Sequence, residues 1–394
     1  MTAMSGSYDL LEESRKTLLA RLCVFAGGGS LEAIEAVCCG GGVEAQDVPD
    51  ALTTLVEKSL VNVEAGRYRM PETVREDAVE KLAKSGEKEA IDERHRDYFL
   101  MLAEDTDAKL NGAEQGALLS RLETEHANLR SALSWSLQQE GGGMAALRLC
   151  GALQTFWRMR GHIEEGRQWC EAALKRTDAA DRSAERARVL NGTGVLARLQ
   201  GDDATARAYH EQSLAIRRAI GDQKAIAASL NGLGNVASGQ GDYAAARACY
   251  EESLAIKRAL GDEKSAAGSL NNLGFVAYHQ GDYPTAGRYY AQSLTIRRDL
   301  GNMNTEAIAS TLEGLAEVSA AEGDWERGVR LWGMVEALRE RIGASRPPKE
   351  QDALDQNVAA ARQALGEEAF LVAWATGGAM TLDQALAYAL EKQE

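Results

Sequence analysis

Between residues 190 and 300 the chain writes one pattern of apolar and polar positions three times, at a spacing of 40 residues. Leu190-Asn-Gly-Thr-Gly returns as Leu230-Asn-Gly-Leu-Gly and Leu270-Asn-Asn-Leu-Gly. Gly201-Asp-Asp returns as Gly241-Asp-Tyr and Gly281-Asp-Tyr, and Ser213-Leu-Ala-Ile as Ser253-Leu-Ala-Ile and Ser293-Leu-Thr-Ile. Leu230, Leu233, Val236 and Ala237 sit three or four residues apart, which predicts a helix with one apolar face. Gly241 stops that helix in the left-handed conformation, and Asp242 is placed to cap the next. Ala246, Tyr250, Leu254 and Ile256 then supply a second apolar stripe, which Gly261 ends. A helical hairpin of this size cannot bury its faces alone, so neighbouring units must stack. Weaker copies flank the three clear ones, around Gly161-His-Ile and Gly323-Asp-Trp. The expectation is about five hairpins, from Ala146 to Ala344.

The flanks are patterned differently. Leu11, Leu18, Leu22 and Phe25 predict one helix. A second follows the Ser30 cap through Leu31, Ile34 and Val37, and a third runs from Val48 to Ser59. Leu60-Val-Asn-Val and Arg67-Tyr-Arg-Met alternate about Ala65-Gly66, a short hairpin signal, and a fourth helix follows Pro71. Three helices and a hairpin are the layout of a winged helix. After Ser345-Arg-Pro-Pro, a linker by composition, Leu382, Ala385, Leu386, Ala389 and Leu390 predict a helix capped by Thr381, and residues 350–394 read as cover for the open end of the stack. The fold class is therefore all-α, a solenoid behind a small winged-helix domain. Its divisions are a winged-helix-like domain (1–88), a helical connector (89–145), repeats (146–345) and a helical cap (346–394).

The repeat resembles the tetratricopeptide family: Leu273-Gly274, Ala286, Tyr290 and Ser293 fall where that family places its small and aromatic packing residues. Its 40-residue length is similar to the long repeats of kinesin light chains and related bacterial sensors. Further words, Leu22-Cys-Val-Phe-Ala-Gly-Gly, Leu55-Val-Glu-Lys-Ser-Leu-Val and Arg121-Leu-Glu-Thr-Glu-His-Ala-Asn-Leu-Arg, resemble the winged-helix and helical arm of STAND or NB-ARC-like signal-transduction ATPases of the bacterial transcriptional-regulator type. The resemblance implies a sensor arm, with a separate ATPase or regulator among its candidate partners. The phosphate loop of that class, G-x-x-x-x-G-K-[ST], does not occur in these residues. No ATP site and no other cofactor is expected.

Charge narrows the choice of partner. Of 394 residues 26% are charged, and the net charge is −15, which disfavours a polyanion such as DNA. The third helix, which would read bases in a winged helix, offers acids and only Lys58. A DNA-associated regulator is thus the alternative reading, and a protein or peptide ligand the leading one. Six cysteines show no metal-ligand spacing and fall mostly at apolar positions, as reduced buried thiols. The first residues lack a secretory pattern, and no apolar run is long enough to span a membrane; the expected location is cytoplasmic. The five histidines follow no catalytic or metal-binding signature. His162 occupies a turn slot, and Glu164-Glu165 read as solvated surface. Neither an enzyme nor a metal protein is expected.

The first helix of each hairpin should line the inner groove. Its candidate contacts are Asn191 and Arg198, then Asn231 and Asn235, then Asn271, Asn272, Phe275, Tyr278 and His279, then Glu313 and Glu317. An asparagine in successive repeats, on helices about 8–10 Å apart, matches three extended residues of a peptide, about 10 Å. The same amides could instead bond helix to helix and hold the stack. Phe275, Tyr278 and His279 mark the fourth hairpin as the expected binding centre. In the third hairpin the same positions hold Asn235, Ser238 and Gly239, whereas packing positions keep their size from repeat to repeat.

Overall fold

The computed structural model describes the whole chain except residues 1–7, 9, 111, 113, 302–304, 344–345, 347 and 392–394. The expected linker at Ser345, the last hairpin residue Ala344 and the N-terminal residues read for a secretory signal therefore lie wholly or partly outside the described residues. The chain divides into two compact units, Met1–Asp202 and Asp203–Glu394.

The first unit opens with α1 (Glu13–Arg21), α2 (Leu31–Cys38), α3 (Val48–Glu57) and α4 (Glu72–Ser85). Ser30 caps α2 by accepting from the Ala33 amide. The hairpin is present as β2 (Asn62–Glu64) and β3 (Arg67–Arg69), and a strand the pattern did not signal, β1 (Gly29–Ser30), pairs with the other side of β3. The sheet is antiparallel in the order β1-β3-β2. Two residues carry no alternation to read, so β1 exists only because β3 offers it an edge.

Helices α5 (Lys88–Lys109), α6 (Gln115–Thr124), α7 (His126–Gln138), α8 (Gly143–Arg160), α9 (Ile163–Arg176) and α10 (Ala184–Leu199) complete this unit. A buried polar weld ties the sheet to the α6–α7 junction. Arg67 pairs with Glu125 and donates from Nη2 to Gly28 O at 2.7 Å. Asn128 donates to the same carbonyl at 3.0 Å and to Glu125 Oε2 at 2.8 Å. Gly28 has φ +75, and a Cβ there would lie 2.6 Å from the Arg69 side chain, so only glycine brings that carbonyl within reach of both donors.

The second unit alternates α11 (Asp203–Ile220), α12 (Gln223–Gly239), α13 (Tyr243–Ala259), α14 (Glu263–His279), α15 (Tyr283–Asp299), α16 (Thr305–Ala321) and α17 (Trp325–Ile342). Asp222, Asp242, Asp262, Asp282 and Asp324 each accept the amide three residues on; the repeated Gly-Asp is a stop followed by a cap. Serines link the layers: Ser253 Oγ donates to Ala227 O at 2.9 Å, and Ser293 Oγ to Ala267 O at 2.7 Å. The stripes are buried with Leu230, Leu270 and Leu273 inside, while Ile256 is only half-buried.

Three more helices follow: α18 (Pro348–Leu365), α19 (Glu367–Gly378) and α20 (Leu382–Leu390), the last with the Thr381–Gln384 capping box. α19 docks on α17. A Cβ on Gly377 would lie 1.9 Å from Arg330 O, and one on Gly333 2.3 Å from Trp374 O. The two helices therefore touch backbone to backbone.

Candidate functional site

On α14 the stripe Leu270, Leu273, Val276 and Ala277 is buried, which turns Asn271, Phe275, Tyr278 and His279 to the opposite side. Phe275 is 42% exposed, an unusual position for a large ring. α16 repeats the face with Ser310, Glu313, Gly314 and Glu317. Together they wall a cavity of about 480 Å³, floored by Tyr290 of α15 and by Trp332 and Arg339 of α17. The fourth side is α18, through Ala353, Leu354, Gln356 and Asn357, so this helix lines the groove as well as following the stack. Six of the expected site residues, Asn271, Phe275, Tyr278, His279, Glu313 and Glu317, are brought together here.

The rings form one cluster. Phe275 and His279 have centroids 4.2 Å apart, Tyr278 and His279 5.3 Å, and Tyr243 stacks on His279 at 5.3 Å and 5°. Burial lowers the His279 pKa, which favours the neutral imidazole. Burial, then the charge of Glu317 and the nearby Tyr283, raise that of Tyr278. Trp332 Nε1 and Arg339 Nε are buried donors with no acceptor among the described residues. Both belong to residues lining this cavity.

Several candidates have partners within the chain. Glu313 is engaged: its oxygens pair with Arg339 at 3.1 Å and Arg346 at 3.0 Å. The asparagine row is spent largely between helices. Asn271 Oδ1 accepts from Thr311 at 2.8 Å, Asn231 Oδ1 from Asn272 at 3.3 Å, and Asn235 Oδ1 from Tyr250 at 2.8 Å. Asn191 and Arg198 lie on α10, in the first unit.

A smaller cavity of about 340 Å³ shares Asn271 and Ser310 with the first and adds Asn231, Asn272, Lys257 and Arg297. Lys257 donates to Ser269 at 2.7 Å, and Arg297 lies 3.4 Å from Ser293 Oγ. Neither has a carboxylate within ion-pair distance among the described residues. Burial lowers both pKa values, for Lys257 against the opposing charge of Asp262. Sequence reasoning missed this pair because it sits on the second helix of each hairpin. The signal was present: Lys257 and Arg297 are 40 residues apart, as are Arg217 and Lys257.

One reading of the first unit also changes. Glu165 is not solvated surface: Arg130 Nε donates to it at 2.6 Å and Trp169 Nε1 at 3.2 Å. Burial would raise its pKa, but the Arg130 and Trp169 hydrogen bonds and the charges of His126 and Arg130 hold it at about 2. No helix among the described residues is long and apolar enough to cross a membrane.

Comparison with known proteins agrees with the repeat geometry. The tetratricopeptide repeat profile matches residues 200–259 and 265–332. Proteins of Mycobacterium tuberculosis and Mycobacterium bovis, provisionally named as HTH-type transcriptional regulators, are 37% identical over 237 residues. That stretch is 57% of this chain and 26% of theirs, so the chain spans about a quarter of the length of these curated relatives. Among solved structures, a STAND protein with a tetratricopeptide repeat sensor from Pyrococcus horikoshii aligns at 16% identity and TM-score 0.48, covering 99% of this chain and 64% of that one. BtubC from P. vanneervenii aligns at 20% identity and TM-score 0.46, covering 60% and 94%. Residues 200–332 are tetratricopeptide repeats, carried by a chain homologous to part of a regulator-like protein.

Proposed function

We propose that the chain is a non-catalytic binding arm of a signalling or transcription-regulating system, and that it holds a protein segment or peptide in the groove between α14, α16 and α18. The observation that carries this reading is the 480 Å³ cavity with a half-exposed aromatic cluster on one wall. Rings with polar edges are the side chains that dominate protein interfaces. Lys257 and Arg297 in the adjoining cavity favour acidic side chains on the same segment. The winged-helix reading of residues 1–88 and a separate ATPase partner belong to this proposal.

The test is selection of a peptide library displayed on phage against the full chain. Enriched peptides should bind the wild type, and Phe275→Ala with Tyr278→Ala should weaken them at least tenfold, about 1.4 kcal/mol, at unchanged helical content. Undiminished binding by that folded double variant would remove the cavity from the reading.

A DNA-associated function is the second reading, favoured by the names of the mycobacterial relatives. Its weakness is local: the exposed face of α3 carries Asp50, Thr53 and Glu57, and phosphate contacts need Arg and Lys.

A further inference from the structure

Two helix junctions of the first unit converge on a group of side chains that the repeat groove does not use. Glu123 lies in the last turn of α6 and His126 begins α7, while His162 immediately precedes α9 and Glu165 lies in its first turn. In sequence these are Glu-x-x-His and His-x-x-Glu, each pair three residues apart and so on one side of its junction. One ligand atom from each of Glu123, His126 and His162 lies within 4.8 Å of the others. His162 Nε2 is 3.1 Å from Glu123 Oε1, and His126 Nδ1 is 4.0 Å from the same oxygen.

We propose that Glu123, His126 and His162 bind one divalent transition-metal ion of the zinc class, with Glu165 as the outer carboxylate that orients His126. Two imidazoles and one carboxylate are the borderline donors such ions take, whereas calcium and magnesium take oxygen. His126 is 8% exposed, and Phe156 meets its ring edge-on at 5.2 Å. With Nδ1 toward the cluster, Nε2 faces Glu165 Oε1 at 3.2 Å. That approach is out of line for a hydrogen bond as it stands, and a small ring rotation toward a metal would align it. A carboxylate on the far nitrogen of a metal-bound histidine fixes its tautomer and raises its basicity. Glu165 is itself anchored by Arg130 and Trp169, so the outer shell is built whether or not an ion is present. Glu123 and His162 retain 43% and 27% side-chain exposure. They are free to draw in to bonds of about 2 Å, and they leave the remaining positions to water. Such an ion would pin the α6–α7 junction to the α8–α9 turn.

The experiment uses the full chain, stripped with chelator and titrated with Co²⁺ under reducing conditions, Zn²⁺ being the competitor. The wild type should take up one equivalent with visible d–d absorption, no thiolate-to-cobalt band in the near ultraviolet, and full displacement by Zn²⁺. Glu123→Gln and His162→Ala remove exposed groups and should each abolish uptake while keeping the far-ultraviolet dichroism. Glu165→Gln should weaken binding by about 10–100-fold, the usual effect of losing an outer-shell partner. Failure of the wild type to bind would overturn the site. So would undiminished binding by the folded Glu123 and His162 variants, or a thiolate band placing the metal on cysteines. Unchanged affinity in Glu165→Gln would overturn the orienting role.

Discussion

His95 shows how far one residue's environment departs from its sequence neighbours. It lies in the exposed-looking run Asp-Glu-Arg-His-Arg-Asp, yet it is 3% exposed, with Phe99 at 4.6 Å and Phe25 at 5.4 Å between ring centroids. Burial depresses its pKa from 6.5 to about 4, against opposing contributions from the Asn128 hydrogen bond and Glu125. Between these values the unfolded chain binds a proton that the folded chain refuses, so stability rises with pH across this window. His95 therefore costs nothing above about pH 6.5, and the cost grows to roughly 3 kcal/mol as pH falls to about 4. Urea melts from pH 7 to 4 should show that loss, and His95→Gln, which does not titrate, should flatten the slope. Cys23 is a parallel case in which burial pushes the thiol to about 11, consistent with a packing role for an isolated cysteine.

At the scale of the element, each glycine in a repeat helix has a separate reason, and the reasons predict opposite signs. A Cβ on Gly274 would lie 2.8 Å from the Tyr290 ring, which is 2% exposed and has nowhere to go. Gly274→Ala should destabilise by about 1–3 kcal/mol through overpacking. Gly268 lies in the same helix with nothing within 4 Å of a built Cβ. Gly268→Ala should stabilise by about 0.5–1 kcal/mol, because alanine loses less backbone freedom in a helix. Denaturant midpoints of the two variants check the pair, and the same sign for both would refute the packing account. The hairpin pattern made Gly274 visible, and only the Tyr290 ring separates it from Gly268.

For the molecule as a whole, the net charge of −15 and the acidic exposed face of α3 make a concrete statement about nucleic acid. A labelled duplex at about 0.15 M salt should show no anisotropy change with micromolar chain, because the surface releases few counterions on contact. Sequence-specific binding there would favour the second functional reading. Some cations of the second unit are committed inward: Arg217 donates to Ala225 O at 2.7 Å, and Arg339 pairs with Glu313. Lys257 and Arg297 line the smaller cavity beside the groove, a local attraction for acidic groups on a negatively charged chain.

The repeats were legible because every signal in them is local: an apolar stripe at helical spacing, a glycine stop and an aspartate cap recur within 40 residues. The exposure of Phe275 was legible for the same reason, since its counterpart Asn235 differs so much in size. The sequence could not reveal β1, whose two residues are held only by β3. Nor could it assign the partners of Asn231, Asn271 and Asn235, because an amide serves a ligand or a neighbouring helix with the same atoms and only the inter-helix distances choose. The closure of the cavity by α18 and the meeting of Glu123 with His162, 39 residues on, were likewise decided by tertiary structure. Those contacts depend on how helices pack across long loops of chain, and no periodicity within a single element carries that information.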